Sequence, residues 1–171
     1  MSIRTIMIFP EFENMEIIDE IREKYDPLAQ LVRPHITLVF PFENEMSNSK
    51  IADILTVRLR NIKPFEIVLN GITKQEDRFG NYLFVEVQEG AKEICSIHQI
   101  LYDNEFRELD LGLPYKPHMT IGKLRTAGAL SKAYEEMKHM DQTFKTVVNK
   151  ISVEMIGKND DSIIIIEKHL R

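Results

Sequence analysis

The sequence predicts an α+β fold made of two similar lobes, and three observations predict it. A six-residue pattern, basic, Pro, His, apolar, Thr, apolar, occurs twice: as Arg33-Pro34-His35-Ile36-Thr37-Leu38 and, 83 residues later, as Lys116-Pro117-His118-Met119-Thr120-Ile121. Around each copy the apolar periodicity runs in one order: strand, helix, His-bearing strand, helix, strand. The spacing within that unit is nearly kept, at 32 residues from Ile3 to His35 and 36 from Tyr82 to His118. Two long copies indicate an internal duplication, not a solenoid array. Residues 1–171 are therefore expected to form one two-lobed domain, with motif-bearing halves of roughly 1–75 and 76–171 related by a pseudo-two-fold axis.

Each element has a local reason. Ile3 to Phe9 is a short β-branched run that suits a buried strand. Ile17, Ile18, Ile21 and Tyr25 share one helical face, and Asp26-Pro27 ends that helix. The first histidine strand ends near Pro41. Ser47 or Ser49 can cap the next helix, whose stripe is Ile51, Ile54, Leu55, Leu59 and Ile62, before Lys63-Pro64 breaks it. Phe65 to Leu69 reads as a strand that bends at Asn70-Gly71. In the second half Tyr82 to Val87 alternates, and Ala91, Ile94, His98, Leu101 and Tyr102 make a helical stripe. After the second histidine strand, Leu130, Ala133, Tyr134 and Met137 mark a helix, Phe144 to Ile156 returns to strand, and Ser162 to Glu167 pairs back on it through Lys158-Asn159-Asp160-Asp161.

Composition excludes several classes of function. With 43% hydrophobic and 29% charged residues the chain can bury a core. No stretch approaches the roughly 20 apolar residues that span a bilayer, and Met1 to Pro10 is too short and interrupted for a signal peptide, so a cytoplasmic protein is expected. Cys95 is the only cysteine, which rules out a disulfide framework or thiolate cluster; it is expected to act as a small buried hydrophobe. A net charge of −5 and a pI near 5.6 argue against a broad grip on duplex nucleic acid.

In a strand, His35 and Thr37 share one face while Ile36, Leu38 and Phe40 take the core face. If the lobes pack about the pseudo-two-fold axis, His35 and His118 face each other across a cleft with Thr37 and Thr120 beside them. Such a cleft suits a phosphodiester: one neutral imidazole removes a proton from the attacking oxygen, the other donates one to the leaving oxygen, and the hydroxyls bond the phosphoryl oxygens. That chemistry requires no metal and no cofactor.

Paired His-x-Thr motifs on duplicated halves resemble the two-histidine phosphoesterase superfamily, which includes the bacterial 2′-5′ RNA ligases and cyclic nucleotide phosphodiesterases. Pro34-His35-Ile36-Thr37-Leu38 with Phe40-Pro41-Phe42-Glu43 downstream, and Pro117-His118-Met119-Thr120-Ile121-Gly122, are most similar to its bacterial YjcG-like branch. The resemblance covers essentially the whole chain. It implies a bilobal fold of two antiparallel-rich sheets with outer helices around a central cleft. It further implies metal-free chemistry on 2′,3′-cyclic phosphates or 2′-5′ linkages, with His35, Thr37, His118 and Thr120 as the catalytic set. Ligase-type relatives often carry Arg after the second motif, where this chain has Lys123 and Arg125. Lysine binds phosphate as a point charge without the bidentate fork of arginine.

Around the motifs, Arg33 and Lys116 are candidates to line the mouth of the cleft, against the alternative of solvated charges at strand starts. Tyr115 and Phe42 are candidates to stack on a base, against simple packing. His98, on an apolar helical face, is expected to be a bonded core residue. The expected partner is a small cyclic nucleotide or an RNA terminus, with neither membrane nor extended duplex. Two other classes compete with a phosphoesterase: a binding module that holds nucleotide or an RNA end without turnover, and a metalloenzyme built on His35 and His118. The last is disfavoured because both motifs place Thr where a ligand would be wanted.

Overall fold

The structure, a computed structural model, describes residues 2–171. Eight strands and four helices follow in the order β1 (Arg4–Ile8), α1 (Met15–Tyr25), β2 (Ile36–Phe42), α2 (Asn48–Arg58), β3 (Phe65–Asp77), β4 (Gly80–Glu89), α3 (Ala91–Tyr102), β5 (His118–Leu124), α4 (Ala127–Met137), β6 (Phe144–Val148), β7 (Lys150–Ile156) and β8 (Ser162–His169). A 3-10 turn, Arg107–Leu109, lies between α3 and β5. The strands form two antiparallel four-stranded sheets, ordered β2-β1-β7-β8 and β5-β4-β3-β6. No helix among the described residues is long and apolar enough to cross a membrane.

The two sheet orders superpose strand on strand, β2 with β5, β1 with β4, β7 with β3 and β8 with β6. This is the expected pseudo-two-fold relation, with one change. One strand of each half crosses to the other sheet: β3, directly after α2, pairs with β4, and β7, which follows α4 by way of β6, pairs with β1. The lobes in space therefore differ from the sequence halves 1–75 and 76–171, because β7 and β8 complete the first lobe and β3 the second. The single strand expected over Phe144 to Ile156 is divided at Asn149 for the same reason, β6 lying at the edge of one sheet and β7 inside the other. Asn149 ties this crossing to the chain end by accepting from the Leu170 amide at 2.8 Å. The strand expected to bend away at Asn70-Gly71 instead continues to Asp77, since Gly71, at φ 89°, takes up the irregularity as a bulge against β4.

The symmetry extends to a bulge in each histidine strand. On β1–β2 the register runs Met7 to Thr37 and then Ile6 to Val39; on β5–β4 it runs Phe84 to Thr120 and then Leu83 to Gly122. Leu38 and Ile121 are thus extra residues at equivalent places. The bulge reverses the alternation beyond it. Val39 goes into the core at 0% exposure while Phe40, expected inside, is 38% exposed. The core faces of both motifs, Ile36, Leu38, Met119 and Ile121, are fully buried.

Helices are exchanged as strands are. Helix α1 packs on β5 and α3 on β2, each against the other lobe's histidine strand. Helix α2, capped by Ser47 through the Lys50 amide at 3.1 Å, buries Ile51, Ile54 and Leu55. The approach of α1 depends on Gly122, where an added Cβ would meet the Tyr25 Cβ at 2.9 Å. Gly122→Ala is expected to push α1 off β5 and cost about 1–3 kcal/mol, as overpacking does. The urea midpoint of unfolding measures this; an unchanged midpoint would show that the contact is slack.

Candidate active site

Both histidines sit at the mouth of their strands behind a buried proline, and both imidazoles are held in the same way. The Nδ1–H of His35 donates to the Arg33 carbonyl at 2.8 Å, and that of His118 to the Lys116 carbonyl, also at 2.8 Å. A carbonyl only accepts, so Nδ1 carries the proton and Nε2 of each neutral ring keeps a free lone pair. Each ring packs on an aromatic from the neighbouring part of its own sheet: Phe9 lies edge-on to His35 with centroids 6.0 Å apart, and Phe84 lies 3.8 Å from His118. Thr37 and Thr120, two residues further on, are half-buried on the same faces. Their cross-strand neighbours are Met7 and Phe84. Met7, Phe9 and Phe84 are buried yet lie outside the main core cluster, on the opposite faces of the sheets from it.

The histidine strands are edge strands whose outer backbone needs partners. In β2 these come from the other lobe. Tyr115 donates its hydroxyl to the Thr37 carbonyl at 2.7 Å, His98 donates Nδ1–H to the Leu38 carbonyl at 2.7 Å, and the Phe40 amide donates to the Tyr102 hydroxyl at 3.1 Å. Tyr115 and His98 stack at 3.6 Å and 4°. His98 is thus the bonded residue expected. Tyr115, read from the sequence as a base-stacking candidate, has its ring on His98 and its hydroxyl on β2, so it ties one motif to the other instead. The second stacking candidate, Phe42, is 5% exposed at the far end of β2, against Phe106 at 5.3 Å and under the Arg4 guanidinium at 5.6 Å. It packs the core and takes no part in the site.

The basic candidates are dispersed. Arg33 is exposed and lies over the Phe9 ring at 4.7 Å; Lys116 is exposed and pairs with Glu86, the cross-strand neighbour of His118; Lys123 is exposed and sits 5.6 Å from the Tyr82 ring. Sequence reasoning passed over Phe9, Tyr82 and Phe84. The alternation in 82–87 already placed Tyr82, Phe84 and Glu86 on the face opposite Leu83, Val85 and Val87, but which strand lay beside β4 was invisible. Cys95 is half-buried, and burial raises its thiol pKa. Among the described residues no three His, Cys, Asp or Glu side chains gather as a metal-binding group.

Comparison with known proteins decides the family. The family model of the 2′-5′ RNA ligase superfamily matches residues 9–159. The chain belongs to this superfamily. Among relatives, "Putative phosphoesterase OB1230" of Oceanobacillus iheyensis is 29% identical over 119 residues, 69% of this chain and 68% of that one. "Putative phosphoesterase GK0864" of Geobacillus kaustophilus is 28% identical over 151 residues, covering 85% of this chain and 83% of its own. Among solved structures, TT0787 of Thermus thermophilus aligns with a TM-score of 0.69 at 15% identity over 99% of this chain and 98% of that one. LigT of E. coli complexed with 3′-AMP aligns at 0.63 and 13% over 99% and 98%. At these identities the structures show a shared fold.

The fold of this chain desolvates both imidazoles. Burial holds the His35 pKa below the usual histidine value, against the bond to the Arg33 carbonyl, and the charges of Arg22 and His118 lower it further. The second motif is thus close enough for its charge to be felt at the first. Burial likewise lowers His118, again opposed by its carbonyl bond. Arg22 is itself 2% exposed and paired with Asp26 at 3.0 Å, whose other oxygen accepts from the Leu28 amide at 2.9 Å; this holds the loop that enters the first motif.

In the free protein both imidazoles should therefore titrate with midpoints below about 6.5 and show the Nδ1–H tautomer at pH ~7.5, as ring-nitrogen NMR correlations would record. A midpoint above about 7 for either would contradict the packing. Because their folded pKa values are lowered, the unfolded chain binds more protons in this range, so these groups make stability rise with pH and fall away as pH drops below about 6.5.

Proposed function

We propose that the chain is a metal-independent phosphoesterase that opens a 2′,3′-cyclic phosphate, or acts on a 2′-5′ linkage, at a nucleotide or RNA end. The observation that carries this is the matched pair of imidazoles, each with Nδ1 fixed to the carbonyl two residues upstream and Nε2 free on adjoining edge strands. A general base and a general acid need the same geometry and opposite protonation, and this pair offers both from one construction. The LigT structures with 3′-AMP, ATP and NADP+ support a nucleotide-sized ligand.

In hydrolysis a water oxygen attacks phosphorus. Its proton passes to Nε2 of the neutral imidazole while the bond from phosphorus to the ribose oxygen breaks, and the Nε2–H of the protonated imidazole supplies that oxygen's proton. The product is a phosphate monoester with a free hydroxyl. Thr37 and Thr120 donate to the non-bridging oxygens, and the bound anion raises the pKa of the acid imidazole. In ligation a 5′-hydroxyl takes the place of water: its oxygen attacks the phosphorus of the cyclic phosphate, its proton passes to the neutral imidazole, and the bond from phosphorus to O3′ breaks as the protonated imidazole supplies that oxygen's proton, leaving a 2′-5′ linkage. Lys123 in place of the arginine common in ligase-type relatives favours hydrolysis. The alternative, nucleotide binding without turnover, uses the same groups and differs only in the absence of product.

His35→Ala and His118→Ala should each lower kcat on a cyclic phosphate by about 10²- to 10⁴-fold, with the double variant little worse, since acid and base act as a unit. Thr37→Val and Thr120→Val should have smaller effects, each losing one hydrogen bond. Circular dichroism should show all five variants folded, because neither imidazole belongs to the main core cluster. Wild type that binds nucleotide but forms no product would establish the binding module.

The singly protonated pair is most populated between two macroscopic pKa values that both lie below about 6.5. Hence kcat/KM should peak below about pH 6.5 and already be falling as pH rises past that value. A maximum at pH ~8 or above would remove histidine from the acid role.

A further inference from the structure

The two lobes match closely around the motifs but differ beside them. Counting outward from the histidine, the first lobe has Phe9, Met7 and Thr5, all buried, on the face of β1 opposite the main core, and the second has Glu86, Phe84 and Tyr82 at the equivalent positions of β4. Only the second lobe carries a row of rings. His118 lies 3.8 Å from Phe84, Phe84 lies 5.7 Å from Tyr82 at 16°, and the Tyr82 hydroxyl reaches the Phe79 carbonyl at the tip of the β3–β4 hairpin at 3.2 Å. Phe84 is buried, Tyr82 half-buried and Phe79 50% exposed, so the row opens to solvent as it leaves the histidine. Cations accompany it: the Lys123 ammonium 5.6 Å from the Tyr82 ring and the Arg78 guanidinium 4.8 Å from the Phe79 ring, both on exposed side chains. The tip is ordered by Asp77, whose carboxylate accepts from the Phe79 and Gly80 amides at 2.8 and 3.2 Å.

Aromatic rings in series with cations beside them are how proteins hold unpaired nucleotides, by stacking bases and neutralising phosphates. We propose that the β3–β4 hairpin is a track for single-stranded RNA, which seats the nucleotides preceding a terminal cyclic phosphate. Tyr82 stacks the terminal base, Phe79 the base before it, and Arg78 and Lys123 meet the intervening phosphates. The preferred substrate is then an oligoribonucleotide end and not a free cyclic mononucleotide. The charge of −5 over the whole chain is compatible with this, since the track needs two local cations and not a broad basic face. The inference rests on the phosphoesterase reading for its substrate end, and the hairpin geometry carries the rest.

The test compares kcat/KM on a 2′,3′-cyclic mononucleotide with that on a tetraribonucleotide bearing the same cyclic end. Wild type should prefer the tetranucleotide. Phe79→Ala and Tyr82→Ala should each lower the ratio of the two values by about 5- to 100-fold, the range of one lost base stack, and Tyr82→Phe should keep it. Arg78→Gln should flatten the salt dependence measured on the tetranucleotide. Equal turnover of both substrates by wild type, with the ratio unmoved in Phe79→Ala, overturns the track and leaves the phosphoesterase standing. If neither substrate is turned over, the phosphoesterase reading fails. Fluorescence polarisation with a labelled 3′-phosphorylated tetraribonucleotide then judges the track alone: binding weakened in Phe79→Ala upholds it, and absent or unchanged binding overturns it. Loss of self-association in Phe79→Ala with oligonucleotide binding intact would make the patch a protein contact and likewise overturn it.

Discussion

Two edge strands that cannot complete their own hydrogen bonding hold this molecule together. β2 ends one sheet and β5 the other, and each carries a histidine motif at its open margin. The outer carbonyls and amide of β2 are satisfied by His98, Tyr102 and Tyr115, all from the second half of the chain. An unpaired buried backbone group costs as much as a lost hydrogen bond, so these three side chains make the closeness of the two lobes a condition of folding. The crossing of α1 onto β5 and α3 onto β2, and the exchange of β3 and β7, extend the interlock. A site assembled from two motifs 83 residues apart gains its rigidity here.

The imidazoles gain from the same arrangement. Their Nδ1 bonds are to the backbone of their own loops and arise locally, two residues upstream, so each tautomer is settled within its own lobe. Their lowered pKa values arise first from burial, to which Phe9 and Phe84 contribute within each sheet, and at His35 also from the charge of His118 across the lobes. Each lobe orients its own imidazole, and the contact between lobes then tunes the pair. The equivalent bulges at Leu38 and Ile121 shift the alternation by one residue, so that Val39 and Gly122 turn to the core and the next outward residues after each Thr are Phe40 and Lys123.

Local chemistry was legible where the deciding neighbours lie within a few residues. A serine cap at Ser47 or Ser49, the stripe of α2, the buried faces of both motifs and the bonded state of His98 all follow from such short-range patterns, and the structure takes Ser47 of the two. Phe42 and Tyr115 misled for the opposite reason: an aromatic near a motif packs the core, bridges strands or faces a ligand according to what lies across from it. Phe40 misled because one bulged residue, Leu38, reverses an alternation that otherwise reads correctly. The strand break at Asn149 has little local signal, since β6 and β7 are continuous in β propensity and part only because they serve different sheets.

By itself the sequence determined the duplicated unit, the two His-x-Thr pairs and the faces they share, because these depend on residue type and on the period of a strand. Tertiary structure alone decided which strands exchange, which aromatics stand beside the histidines and where the cations fall. Those outcomes depend on contacts between residues far apart in the chain, such as Tyr115 with Thr37 or Phe84 with Thr120, and no local pattern encodes a partner it does not touch.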